Sequence, residues 1–399
     1  MSESTLAPIA ETTRFKRVVS VDALRGFDMF WIAGADGLIT SLGRVSESPL
    51  AQNLSAQLRH VRWQGFVFYD LIFPLFVFLV GMSIVFSLDK IIAKEGLRAA
   101  HIRILKRFAL LYLLAILKDS GISDMGHESP FSGVLQRIAW CYLFTAVLYC
   151  NLRRRGLAIV CGAILIGYWT LLTFVAPPGQ ETISYESEKN IVTWFDSQYL
   201  PFREAGQRYD PEGLLSTFPA VASCLFGVFA GYAMRDGKLN PRNRAFAFLA
   251  IGVALAITGY AWAGSFDSHA QISRDMAVPS PDIDRLWWQM PIIKKIWTSS
   301  YVLVAAGWSC VLVGIFSLVI DVLKFERWAI PFIWIGTNPL AVYLAQDFIA
   351  FDDLGNRTAG GPFATLFGKY APLIPSLASI VFVFLFARFL YKRKIFLRV

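Results

Sequence analysis

Ten runs of predominantly apolar residues succeed one another along this chain, at about 20–42, 66–88, 104–119, 132–151, 156–176, 213–234, 245–264, 298–321, 329–349 and 371–391. A helix of roughly 20 apolar residues crosses the hydrocarbon core of a bilayer. Inside that core every backbone amide must be satisfied within the protein, which for separate segments means α-helix. The expected fold is therefore all-α. It is a polytopic membrane protein with about ten transmembrane helices filling residues 18–399, behind a polar tail at 1–17. The run at 104–119 is the shortest and is bounded by Arg107 and Lys118. Apolar residues make up 55% of the chain and charged residues 17%, where a soluble domain carries roughly 25% charged residues. The 33 Phe and 12 Trp suit lipid contact and interfacial belts.

The net charge of +9 does not point to nucleic acid, because the basic residues form no surface interleaved with aromatics. They sit in short clusters between alternate apolar runs: Arg14, Lys16 and Arg17; Lys90 to Arg107; Arg153 to Arg155; Arg235 to Arg244; Lys324 and Arg327; Lys392 to Arg398. By the positive-inside rule that side is cytoplasmic and holds both termini. The opposite connections, at about 43–65, 120–131, 177–212, 265–297 and 350–370, are longer and mixed in charge. The first apolar run carries Asp22, Arg25, Asp28 and Asp36, so it reads as a retained helix and not as a cleaved signal. Cys141, Cys150, Cys161, Cys224 and Cys310 lie within apolar runs and show no metal-ligand spacing. They read as buried small hydrophobes, with no metal expected.

Charge inside a transmembrane helix costs roughly 2.5–3.5 kcal/mol per residue at the centre. The four charges of the first run therefore belong on a face turned toward the bundle interior or a water-filled path. At 3.6 residues per turn they share one broad stripe. Asp22 and Asp28 are equally compatible with buried ion pairs, whereas Asp36 has no basic neighbour in sequence and reads as functional. His60 stands just before the second run, at the depth of Asp36, and Asp70 follows ten residues on. A carboxylate beside an imidazole fixes its tautomer. His101, His127 and His269 read as surface residues. Gln136, Arg137, Asn338 and Tyr343 are further polar groups within apolar runs; hydrogen bonds between helices account for most such residues, and Asn338 before Pro339 suits a kink. Gly227 and Gly231 have helix-packing spacing. Nucleotide-binding and hydrolase signatures of soluble enzymes are absent.

Six motifs in order then carry a resemblance. They are Arg17-x-x-Ser20-x-Asp22-x-x-Arg25-Gly26; His60-x-x-Trp63-x-Gly65 continuing to Asp70-Leu71-Ile72-Phe73-Pro74; Gly133-Val134-Leu135-Gln136-Arg137; Asp210-Pro211-Glu212-Gly213-Leu214-Leu215; Lys295-x-Trp297-x-x-Ser300-Tyr301; and Asn338-x-x-x-x-Tyr343. Together they resemble the heparan-α-glucosaminide N-acetyltransferase family. The resemblance implies a ten-helix domain, acetyl-CoA as donor, an amino sugar or other glycan as acceptor on the far side of the membrane, and a homodimer. It places the catalytic histidine on His60. Where the family carries Asn ten residues after its Arg-Gly, this chain has Asp36, and an ionised carboxylate accepts hydrogen bonds but cannot donate them. The family's lysosomal members carry a luminal domain before this region, and its absence here makes a bacterial-type inner-membrane enzyme the expectation.

The mechanism so implied has acetyl-CoA entering from the cytoplasm, its phosphates meeting Arg25 and Arg107, and its thin arm running along the polar stripe of the first helix to Asp36 and His60. His60 acts as general base or as the acetyl carrier, Asp70 orients it, and Arg137 or Asn338 steadies the oxyanion. A proton-coupled transporter or flippase, a non-catalytic scaffold and an O-acyltransferase are compatible with the same embedded charges.

Overall fold

The computed structural model describes residues 18–119, 132–200, 210–264 and 286–397. Among these the chain is helical, with a single isolated bridge between Gln64 and Ile293 as its only extended pairing. The helices are α1 (Val19–Phe30), α2 (Asp36–Val45), α3 (Pro49–Gln57), α4 (Phe68–Asp119), α5 (Val134–Asn151), α6 (Arg154–Phe174), α7 (Ile191–Tyr199), α8 (Leu214–Arg235), α9 (Pro241–Ala263), α10 (Ser299–Phe316), α11 (Ile330–Gly336), α12 (Pro339–Ile349), α13 (Phe351–Ala359), α14 (Gly361–Thr365) and α15 (Leu373–Lys392). Six are long and apolar enough to cross a membrane: α4, α6, α8, α9, α10 with its π-helical extension to Val322, and α15. The pair α11 and α12, bent by 71°, makes a seventh candidate.

Four of the expected runs take a different form. The runs at 66–88 and 104–119, with the connection between them, form the single 52-residue α4. A straight helix of that length would be about 78 Å long, more than twice the hydrocarbon thickness. Gly96 breaks it, with φ +83°, a backbone state that a side chain disfavours. The first run is interrupted by a π turn at Trp31–Ala35, where Gly34 has φ +113°. The polar stripe drawn through Asp36 therefore does not continue across one regular helix. The run at 329–349 is likewise split at Thr337 and Asn338, as the Asn-Pro step suggested.

Close helix packing explains the glycines. A Cβ on Gly81 would stand 1.9 Å from the carbonyl oxygen of Cys224, and one on Gly227 would stand 1.9 Å from that of Phe78. These positions let α4 and α8 approach backbone to backbone, with Gly231 next in the row against Met82 and Val85. α4, α8 and α10 are mostly enclosed, whereas α6, α9 and α15 keep most of their apolar surface on the outside. The cysteines are free thiols, buried except for the partly exposed Cys150.

Candidate functional site

α4 lays one face along a cavity of about 530 Å³. Tyr69, Ile72, Phe73, Phe76, Val80 and Ser83 all line it, and the rise from first to last amounts to about 21 Å of helix. At the Tyr69 end the wall includes His60, Glu212 and Lys294; at the Ser83 end it includes Arg25, Arg107 and Leu397. One continuous space thus joins a histidine to a pair of arginines along four turns of helix.

His60 lies in the connection between α3 and α4, with its side chain half exposed. Its Nδ1 is 2.7 Å from Asp70 Oδ1, and Asp70 is fully buried. A carboxylate oxygen only accepts, so Nδ1 carries the hydrogen and Nε2 presents its lone pair. Val67 N donates to the other carboxylate oxygen at 3.3 Å. The Tyr301 hydroxyl donates to the Asp70 carbonyl at 2.8 Å. Lys294 completes the cluster: its Nζ is 3.5 Å from Asp70 Oδ1, and 3.1 and 3.4 Å from the two ring nitrogens. Burial pushes the Lys294 amine below the ordinary lysine range, and Asp70 and Glu212 pull it back toward the charged form.

The cluster is held from behind. Gly65 N donates to Ile292 O at 2.9 Å, which ties the His60 loop to the Lys294 loop. Thr298 closes the latter on itself: its hydroxyl donates to Pro291 O at 2.8 Å and accepts from Ile293 N at 3.0 Å. Ser300 donates to the same Pro291 carbonyl at 2.9 Å. The Tyr168 hydroxyl donates to Ile296 O at 2.6 Å. Trp297, buried and at φ 52°, packs edge-on against Phe73 and Tyr301. The motif from Lys295 to Tyr301 is thus the mount for Lys294, the residue just before it.

Of the residues singled out from sequence, Arg25, His60 and Arg107 line this cavity, and Asp70 stands behind His60. Arg25 donates to Ser83 Oγ at 2.8 Å and pairs with Asp22 at 3.3 Å. Arg107 packs over the Tyr142 ring at 4.5 Å. Asp36 stands behind the wall: the Tyr69 hydroxyl donates to its Oδ2 at 2.9 Å, and the Tyr69 ring lies 4.6 Å from the imidazole. From the first run the wall takes Arg25 and Met29 of α1 and Ile32 of the π turn, and not Asp28. Asp28 is fully buried, and neither carboxylate oxygen has a hydrogen-bond partner among the described residues.

Arg137 and Asn338 do not line the cavity. Arg137 is buried beneath it, donating to Ser216 Oγ at 2.5 Å and Gly213 O at 3.2 Å, with its guanidinium over the Trp297 ring. Asn338 clasps the C-terminal segment: its amide nitrogen donates to Ile395 O, and its oxygen accepts from Leu397 N at 2.9 Å. Lys294, Tyr69 and Glu212 were not singled out as site residues from sequence. Lys294 and Tyr69 each adjoin a motif residue and Glu212 lies within a motif, and that was the available signal. His127 and His269 lie outside the described residues. His101 is on exposed α4 surface, with its Nδ1 2.9 Å from Leu97 O. No group of three or more His, Cys, Asp or Glu among the described residues has metal-binding geometry.

Residues 17–265 match the family model for the catalytic part of heparan-alpha-glucosaminide N-acetyltransferase. The human protein of that name is 24% identical, over 72% of this chain and 48% of its own length. The mouse protein is 23% identical, over 73% and 49%. The chain spans about half the length of these curated relatives.

Proposed function

Because the chain belongs to the heparan-alpha-glucosaminide N-acetyltransferase catalytic family, we propose that this multi-pass membrane protein moves acetyl from acetyl-CoA on the cytoplasmic side to an amine, on an amino sugar or related glycan, on the opposite side. The observation that carries this reading is the single cavity with Arg25 and Arg107 at one end and the His60–Asp70–Lys294 cluster at the other. Two arginines suit the phosphates of CoA. The apolar run between them and His60, lined by Ile72, Phe73, Phe76 and Val80, suits an acyl-bearing arm.

The described helices accommodate ten crossings in this reading: α1 with α2, the two halves of α4, then α5, α6, α8, α9, α10, α11 with α12, and α15. The clustered basic residues put both termini in the cytoplasm, with an inner, plasma membrane as the site. The Arg25 end of the cavity faces in and the His60 end faces out.

At the outer end the acceptor nitrogen attacks the thioester carbonyl. A C–N bond forms as the C–S bond breaks. His60 Nε2 takes a proton from the nitrogen and returns it to the departing CoA sulfur. Asp70 holds the ring by its Nδ1–H throughout. Lys294 is the cation on the wall nearest the reacting carbonyl and steadies the oxyanion there, the role that sequence reasoning had given to Arg137 or Asn338. General-base help of this kind is worth about 10²–10⁴ in rate. The test is transfer from acetyl-CoA to glucosamine by purified protein: activity in the wild type and its loss in His60→Ala supports the reading. Saturable acetyl-CoA binding without transfer to any amine or hydroxyl acceptor contradicts it.

A further inference from the structure

One charged group on the cavity wall has no part in the transfer just described. Glu212 belongs to the turn before α8, and that turn is fastened on both sides. Glu212 N donates to Asp210 Oδ1 at 2.8 Å. The next residue, Gly213, has its carbonyl taken by Arg137 and its missing side chain replaced by Asp196, whose Oδ2 lies 1.9 Å from where a Cβ would stand. The turn therefore presents Glu212 to the same space as His60 and Lys294. Among the described residues its carboxylate takes no hydrogen bond and no ion pair at bonding distance. The nearby guanidinium of Arg137 is turned toward Ser216 and Gly213.

A partly buried carboxylate without a partner carries a desolvation cost that a cation would offset. Burial pushes the Glu212 carboxyl above its ordinary range; Arg137 and Lys294 draw it down, and Asp210 and Asp119 add to the rise. An aliphatic amine reaches the site as an ammonium ion, and an ammonium ion cannot attack a thioester. Two protons must leave the nitrogen, and the His60 step accounts for one.

We propose that Glu212 binds the ammonium group of the acceptor and takes its first proton. This rests on the acetyl-transfer reading and assigns the acceptor to the primary amines. The steps balance: the ammonium gives one proton to the Glu212 carboxylate, leaving a neutral amine. The amine attacks, its second proton passes through His60 to the CoA thiolate, and Glu212 releases its proton to the external solvent. The net products are the amide, CoA thiol and one proton.

The experiment is steady-state acetyl transfer from acetyl-CoA to glucosamine by the purified full chain, comparing wild type, Glu212→Gln and Glu212→Asp. The ammonium contact predicts that Glu212→Gln raises the KM for glucosamine by about 10- to 100-fold, the range of a hydrogen bond between charged groups. The KM for acetyl-CoA stays within about two-fold. Glu212→Asp recovers part of the loss, and the wild-type rise of KM at acid pH disappears in Glu212→Gln. A carboxylate that merely complements the positive end of α8 would instead lower the unfolding temperature and leave the glucosamine KM unchanged. That outcome overturns the assignment. Wild-type protein that binds acetyl-CoA but acetylates no amine fails at the earlier step and overturns the transfer reading itself.

Discussion

His60 and Asp70 are ten residues apart in sequence, and their side chains meet at 2.7 Å across the start of α4. Asp70 is fully buried, whereas the imidazole is half exposed toward the cavity. The pair is therefore an orienting acid behind a presented base. Asp70→Asn keeps the size but can offer Nδ1 an N–H, which moves the ring hydrogen to Nε2 and removes the lone pair facing the acceptor. In serine proteases the same change costs about 10⁴ in kcat. A fall of about 10³–10⁴ in kcat is expected here, with the KM for acetyl-CoA unchanged. Steady-state kinetics with a circular-dichroism control would check it.

Among the described residues, Asp36 reaches this pair through Tyr69. Asn at position 36 still accepts the Tyr69 hydroxyl, so Asp36→Asn should retain activity within about three-fold. Tyr69→Phe leaves the Asp36 carboxylate short of a donor and should cost more, about ten-fold, on the scale of one lost hydrogen bond to a charged group. Equal losses in the two variants would place Asp36 in direct contact with the acetyl group instead.

Lys294 must be charged to steady an oxyanion. Burial lowers its pKa, so it loses its proton at a lower pH than an ordinary lysine. Activity should fall as pH rises through that lowered value. Lys294→Arg stays charged throughout and should hold its remaining activity to higher pH. Lys294→Gln should lose about 10²-fold, the size of one oxyanion donor. A pH series of kcat on the three proteins measures this.

Asp196, on α7, accepts Leu215 N at 3.2 Å at the start of α8. Burial pushes its carboxyl up to about 6 from 3.8, against the pull of that backbone donor. Between those values the folded protein holds a proton that the unfolded chain has lost, so stability falls as pH rises through the interval. The full cost is present above pH 6, on the order of 3 kcal/mol for a difference of that size. Asp196→Asn keeps an acceptor for Leu215 and removes the charge. It should unfold at a higher temperature than wild type at neutral pH, with the difference vanishing below about pH 4. Thermal unfolding in detergent across that range would show it.

The helical class was legible from ten apolar runs, because hydrocarbon permits little else. The break at Gly96 was not, since a glycine between amphipathic stretches reads equally well as a loop. His60 and Asp70 could be paired from their spacing at a helix start. Lys294 could not, because it comes from 234 residues away on a loop whose course is set by Thr298, Ser300 and Tyr301. Arg137 and Asn338 looked functional for a related reason. A buried polar side chain inside an apolar run signals that it has partners, and both proved to have backbone partners: Gly213 for Arg137, and the C-terminal segment for Asn338. Sequence does not distinguish such a clasp from a catalytic group.

The most direct test of a single path from the arginine end to His60 is transfer across a sealed membrane. Wild-type protein in proteoliposomes would receive acetyl-labelled acetyl-CoA outside and glucosamine trapped inside. The account predicts labelled N-acetylglucosamine in the lumen, none from His60→Ala vesicles, and no CoA uptake. Product that forms only when donor and acceptor share one compartment would contradict it.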